Sequence, residues 1–195
     1  LEQSTGTSAT NAVANAASLT LYNSPSWTKS KHSPVPSLLY NIRSGSNSSY
    51  PQNFTEYNGK IYFKGDDGTT GYEMWEYDPD VAASSTNPKR ISDLRSGSSS
   101  GLGWAEKWII YKNKLIFVGN DGTYGDEPYS FDGTNFTRLA DIYTGSSGSS
   151  PESFTIYNDK LYFGAYSSTY GREMWVYDGT NVSLVKDLAA GSQSG

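Results

Sequence analysis

The sequence predicts an all-β chain: a propeller-like array of four-stranded antiparallel repeats, about three complete and preceded by half of another. Three observations carry this. Written under itself, the chain shows one pattern three times, "YNGKIYFKGDDGTTGYEMWEYD" from 57, "YKNKLIFVGNDGTYGDEPYSFD" from 111 and "YNDKLYFGAYSSTYGREMWVYD" from 157. A closing phrase follows each copy, "DLRSGSSSG" at 93, "DIYTGSSGSSP" at 141 and "DLAAGSQSG" at 187, and a fourth version, "NIRSGSNSSYP", stands at 41. These phrases recur at intervals of 52, 48 and 46 residues, and a period near 50 broken by turn residues is that of a four-stranded propeller blade. The third observation is composition. The 195 residues are only 35% hydrophobic but include 20 Gly and 16 Tyr, so aromatic side chains on short strands must supply much of the core.

The elements follow in order. Residues 1 to 17, small and polar, read as a flexible leader, and 18 to 195 as one repeat domain. "SLTLYN" and "PSLLYNI" look like the third and fourth strands of a blade whose first two strands are missing. Full repeats span about 51–98, 101–148 and 151–195. In the last of these, "SFTIYN", "KLYFGAY", "REMWVYD" and "VSLVKDL" are the four strands. Asn, Gly and Asp at 58–59, 113 and 158–159 accept positive φ and make the first hairpin turn. "DDGTTG" and "NDGTYG" make the second, and "DGTN" at 132 and 178 the third. The longest interval is explained by the insertion "PDVAASSTNP" at 79 to 88.

Alternation along the third strand puts Glu73, Trp75 and Tyr77 on one face, with Glu127, Tyr129, Phe131 and Glu173, Trp175, Tyr177 as equivalents. That face should pack blade against blade and meet Phe63, Phe117 and Phe163 of the second strand. Pro128 has no N–H for a ladder, which predicts an edge or a strand start there. A chain that stops where another first strand would begin leaves three possibilities: a piece of a longer propeller, completion by a partner chain, or an open array. An open edge is a pairing hazard, which favours the first two.

Several chemistries are excluded or left without support. No cysteine is present, so thiolate catalysis and zinc–thiolate sites are out. A net charge of −5 without a Lys/Arg cluster argues against nucleic acid. No run reaches the roughly 18 apolar residues of a membrane span, and residues 1–18 lack the pattern of a signal peptide. The only histidine, His32, sits in a loop sequence, and there is neither a Gly-x-Ser-x-Gly elbow nor a phosphate loop. Glycosidase chemistry needs a carboxylate pair, and no two of the many acids stand out. Four sequons, at Asn47, Asn53, Asn135 and Asn181, are ordinary in so Ser/Thr/Asn-rich a chain.

Two binding chemistries are open to these residues. Asp66, Asp67, Asp121 and Asp126, with Asn120 and Glu127, could present hard oxygens to calcium from Gly-containing turns. Turn chemistry is the plainer account, since the third repeat has "AYSSTYG" instead. Glu73 with Trp75, Glu127 with Tyr129 and Glu173 with Trp175 could form a set of sugar sites, the carboxylate accepting from hydroxyls and the ring stacking on a pyranose. The alternative is a core aromatic with a Glu satisfying backbone donors, and exact recurrence favours it. The closing Asp93, Asp141 and Asp187 read as turn-locking residues, and Asn41 keeps that role without the charge.

On "GYEMWEYD", "GDEPYSFD", "GREMWVYDGT" and "VKDLAAGS", covering roughly 37 to 195, the chain resembles bacterial repeats in which Glu-Leu-Trp and Asp-Gly-Thr precede a Lys-Asp-Ile/Leu-x-x-Gly phrase. It differs in having Met or Pro for Leu and no Trp in the second repeat. The resemblance implies a propeller-like module of large secreted or cell-surface proteins. The expectation is an extracellular, non-enzymatic adhesion or assembly module whose partners are other chains, including copies of itself, or surface glycans. A lectin-like module is the alternative, and a glycoside-active enzyme the third.

Overall fold

The computed structural model describes residues 38–104 and 107–189, and the backbone of 8–10 and 18–20. The chain forms two compact units, Leu1–Ser37 and Leu38–Gly195. In the first, β1 (Ser8–Thr10) pairs antiparallel with β2 (Ser18–Thr20), Ala9 opposite Leu19. The rest of the leader expected over 1–17 lies outside the described residues.

The second unit contains three four-stranded antiparallel sheets, and no helix occurs among the described residues. The first sheet is β3 (Gln52–Tyr57), β4 (Lys60–Asp66), β5 (Tyr72–Tyr77) and β6 (Lys89–Arg90). The second is β7 (Ile109–Tyr111), β8 (Lys114–Asn120), β9 (Asp126–Phe131) and β10 (Phe136–Arg138). The third is β11 (Glu152–Tyr157), β12 (Lys160–Ser167), β13 (Gly171–Tyr177) and β14 (Val182–Lys186). Each is a meander in sequence order, as the short turns demand. At the first turn Asn58 and Gly59 have φ of 51° and 76°, and Asn158 and Asp159 46° and 56°. Lys112 takes φ 46° there against its preference. Its ammonium is tied to Asp178 O at 2.7 Å and lies 3.2 Å from Asp159 Oδ2.

Period-two alternation gives each sheet two distinct faces, and the pairing order fixes which face meets the next sheet. Tyr57, Tyr62 and Met74 on one face of the first sheet bury against Leu115, Phe117, Tyr129 and Phe131 of the second, together with Leu102 and Trp108. Tyr111, Ile116 and Val118 on the opposite face of the second sheet bury against Phe154, Leu161, Phe163, Ala165 and Tyr177 of the third. The aromatic faces of β9 and β13 thus pack sheet against sheet, while that of β5 belongs to neither cluster. Phe63, Phe117 and Phe163 stand directly opposite Trp75, Tyr129 and Trp175 in the ladders.

Two expectations are corrected. Leu38–Ile42 forms no strand; Leu38 and Leu39 remain largely exposed, while Ile42 reaches over the first sheet, its Cδ1 2.9 Å from where a Cβ on Gly65 would stand. Pro128 lies neither at an edge nor at a strand start, since β9 runs between β8 and β10 and Pro128 faces Val118. The reason is visible in the first sheet, where the equivalent Met74 N–H donates to the Ser92 hydroxyl (2.8 Å) and takes no part in the ladder. Ala140 replaces Ser92 in the second sheet, so donor and acceptor vanish together. The Pro128 carbonyl still accepts from Leu139 N at 2.8 Å, as Met74 O does from Ile91 N at 2.9 Å.

The insertion after β5 closes on itself. The Asn87 amide donates to Asp78 O and Val81 O, and its oxygen accepts from Asp78 N.

Candidate functional site

The most repeated polar feature is the Glu at the start of each third strand. It faces a small residue in the neighbouring ladder, Gly65 for Glu73, Gly119 for Glu127 and Ala165 for Glu173. The small residue makes room for the aromatic ring two positions on: a Cβ on Gly119 would lie 2.7 Å from Tyr129 Cδ2. Trp75 Nε1 and Trp175 Nε1 donate to the carbonyls of Gly65 and Ala165, both at 3.1 Å. Trp75 is 7% exposed and Tyr129 4%, so neither ring offers a face on which a sugar could stack. Trp175 is partly buried and packs into the second interface.

The carboxylates bind the closing phrase. Glu73 Oε1 accepts from Gly101 N (2.8 Å), and Oε2 accepts from the Ser92 hydroxyl (2.5 Å) and from Leu94 N (3.4 Å). Glu127 Oε2 accepts from the Ser149 hydroxyl (2.6 Å) and Ile142 N (3.2 Å), and Oε1 from Tyr143 N (3.2 Å). Both side chains are fully buried. Burial pushes each carboxyl above its usual range; the three bonds oppose this, and Asp93 or Asp141 nearby adds to it. The phrase then stitches neighbouring sheets. Gly101 N and Leu102 N donate back to Tyr72 O of the first sheet, and Gly101 O accepts from Asn120 N of the second at 2.8 Å. Ser149 repeats this with Asp126 O and Tyr166 N.

Glu173 breaks the series. It is 4% exposed, and neither carboxylate oxygen has a partner among the described residues. Lys186 stands where the first repeat has Ser92, and the residue matching Ser149 is a glycine, so the sequence offers neither hydroxyl.

The closing aspartates do less than expected. Asp93 lies 3.4 Å from Arg90 Nη1, while Asp141 Oδ1 and Asp187 Oδ1 are buried without a partner. Holding the phrase falls instead to Glu73 and Glu127, which accept from backbone N–H groups as the favoured reading expected. A hydroxyl alternating between positions 92 and 149 was the available signal.

The acids proposed for calcium are turned toward N–H donors and arginines. Asp67 Oδ1 accepts from the backbone N–H and hydroxyl of both Thr69 and Thr70, which together outweigh burial and hold its carboxyl below the usual range. Asp121 Oδ1 does the same for Thr123 N and Tyr124 N, its Oδ2 accepting from the Tyr129 hydroxyl. Its carboxyl too is lowered against burial. Asp66 pairs with Arg43 at 2.6 Å, and Asp126 accepts from the Asn120 amide at 2.8 Å. No group of three or more His, Cys, Asp or Glu able to hold a metal occurs among the described residues.

One buried cation escaped the sequence reading. Lys64 is 6% exposed; its Nζ donates to Gly103 O at 3.0 Å and lies 4.6 Å from the Tyr72 ring centroid. Burial lowers its pKa, and Asp126 opposes the shift. Val118 at the equivalent position was the clue that this strand site faces the next sheet.

No protein-family model matches the chain, and no curated protein matches it. Among solved structures the computationally designed Ika8 protein is similar over 74% of this chain and 38% of that chain, with 14% identity and a TM-score of 0.38.

Proposed function

We propose that the chain is a non-enzymatic assembly or adhesion module of extracellular setting, its three sheets arranged as successive blades of a propeller-like array. The observation that carries this reading is the use to which the recurring chemical groups are put. Glu73 and Glu127 are saturated by donors of the closing phrase, and their aromatic neighbours are core. Large apolar side chains are nonetheless exposed in two places: Leu38 and Phe54 line one hollow, and Tyr157 and Met174 another. Large exposed apolar side chains near one another are the usual mark of a contact surface.

The reading is tested by presenting the chain to a glycan array and a panel of glycoside substrates, alongside chemical cross-linking of the chain alone. It predicts no glycan signal, no turnover and cross-linked species heavier than one chain. Saturable glycan binding or turnover that follows the protein through purification would replace it with the lectin or enzyme reading.

A further inference from the structure

The two internal interfaces use the same positions; the outgoing end leaves its tyrosine and methionine exposed, and at the incoming end Phe54 is exposed while Phe63 and Trp75 are only 6% and 7% exposed. On the outgoing face, Tyr57 is 2% exposed and Tyr111 3%, but Tyr157 is 65%. Met74 is fully buried, while Met174 is 45% exposed. On the incoming face, Trp108 is 6% and Phe154 3% exposed, but their equivalent Phe54 is 63%. Inside the molecule these are partners: Tyr57 and Trp108 share one core cluster, Tyr111 and Phe154 the other. The tyrosine also hydrogen-bonds to the following sheet's first turn, Tyr57 to Asn113 O at 2.9 Å and Tyr111 to Asp159 O at 2.7 Å.

We propose that the outgoing face of the third sheet seats on the incoming face of the first sheet of a second copy, head to tail, repeating the internal interface between chains. This rests on the assembly reading and names its surface and partner. A groove of about 530 Å³ lined by Thr155, Tyr157, Tyr162, Phe163 and Met174 receives the partner. The partner brings Phe54, which stacks on Phe63 at 5.3 Å beside Leu38, Leu39 and Ile61. Gly59 occupies the turn position of Asn113 and Asp159, so its carbonyl is the acceptor for the Tyr157 hydroxyl. Such an interface is heterologous and builds a ring or an open chain of copies.

The test uses Phe54→Glu and Tyr157→Glu, both at exposed positions, with circular dichroism to show that each variant folds as the wild type does. Analytical ultracentrifugation is expected to show a multimer for the wild type, a monomer for each variant alone, and a dimer for the equimolar mixture, in which one intact end of each variant meets the other. A multimer that survives Phe54→Glu but not Tyr157→Glu would mean that third sheets pair with each other, which overturns the head-to-tail arrangement. Multimers unaffected by either change would overturn it while leaving the assembly reading standing. A wild-type monomer at every concentration would remove both.

Discussion

At the scale of single residues, Glu73 and Glu127 staple the closing phrase to its strand. Replacing Glu127 by Gln turns an acceptor into an NH2 group facing N–H donors, and an unsatisfied buried donor costs about 1–3 kcal/mol. Glu127→Gln should therefore lower stability by roughly that amount in urea unfolding. Glu173→Gln changes a buried side chain that has no hydrogen-bond partner among the described residues, so it should cost less than about 0.5 kcal/mol or stabilise. Equal losses at both positions would contradict the staple account. The sequence showed that these glutamates recur but not what they hold, because their donors lie 15 to 28 residues away in a phrase whose aspartate looked like the capping group.

At the scale of elements, strands and turns were legible because period-two alternation and Asn, Asp and Gly at positive φ are local signals. Interior placement of Pro128 was not, since it depends on a hydroxyl present at position 92 and missing at 140. That pairing can be tested by a cycle. Ala140→Ser alone adds a hydroxyl beside proline that finds no N–H to accept from, and Pro128→Met alone restores an N–H without its acceptor, so each should destabilise the chain. The double variant recreates Met74 and Ser92 and should recover about 1 kcal/mol relative to the sum. Additive losses would show that the two sites are independent. Leu38–Ile42 read as a strand by its apolar pattern alone, and strand pairing needs a neighbour that pattern does not supply.

For the whole molecule, titration should put the stability optimum on the acid side. Asp67, Asp121, Asp132 and Asp178 have folded pKa values below the ordinary 3.8, the last two through backbone N–H bonds from Asn135 and Thr134 or Asn181 and Thr180. Their contribution is complete above that value and lost as pH falls through the lowered ones. Glu73 and Glu127 are raised above 4.5, so the folded state holds extra protons and stability declines as pH rises from 4.5 through their folded values. Melting temperature should peak at mildly acidic pH, and a steady rise from pH 5 to 8 would contradict the burial of these carboxyls. Added calcium should leave the melting temperature unchanged at constant ionic strength, because the turn acids are already bonded to N–H groups. A calcium-dependent increase would reopen the metal reading.

The most direct measurement of the central claim, that this is a scaffold built to associate, is the mass of the wild-type chain in solution by light scattering over a range of concentrations. The account predicts a mass of two or more chains that rises with concentration or settles at a closed ring. A monomer of 21.3 kDa at every concentration would contradict it.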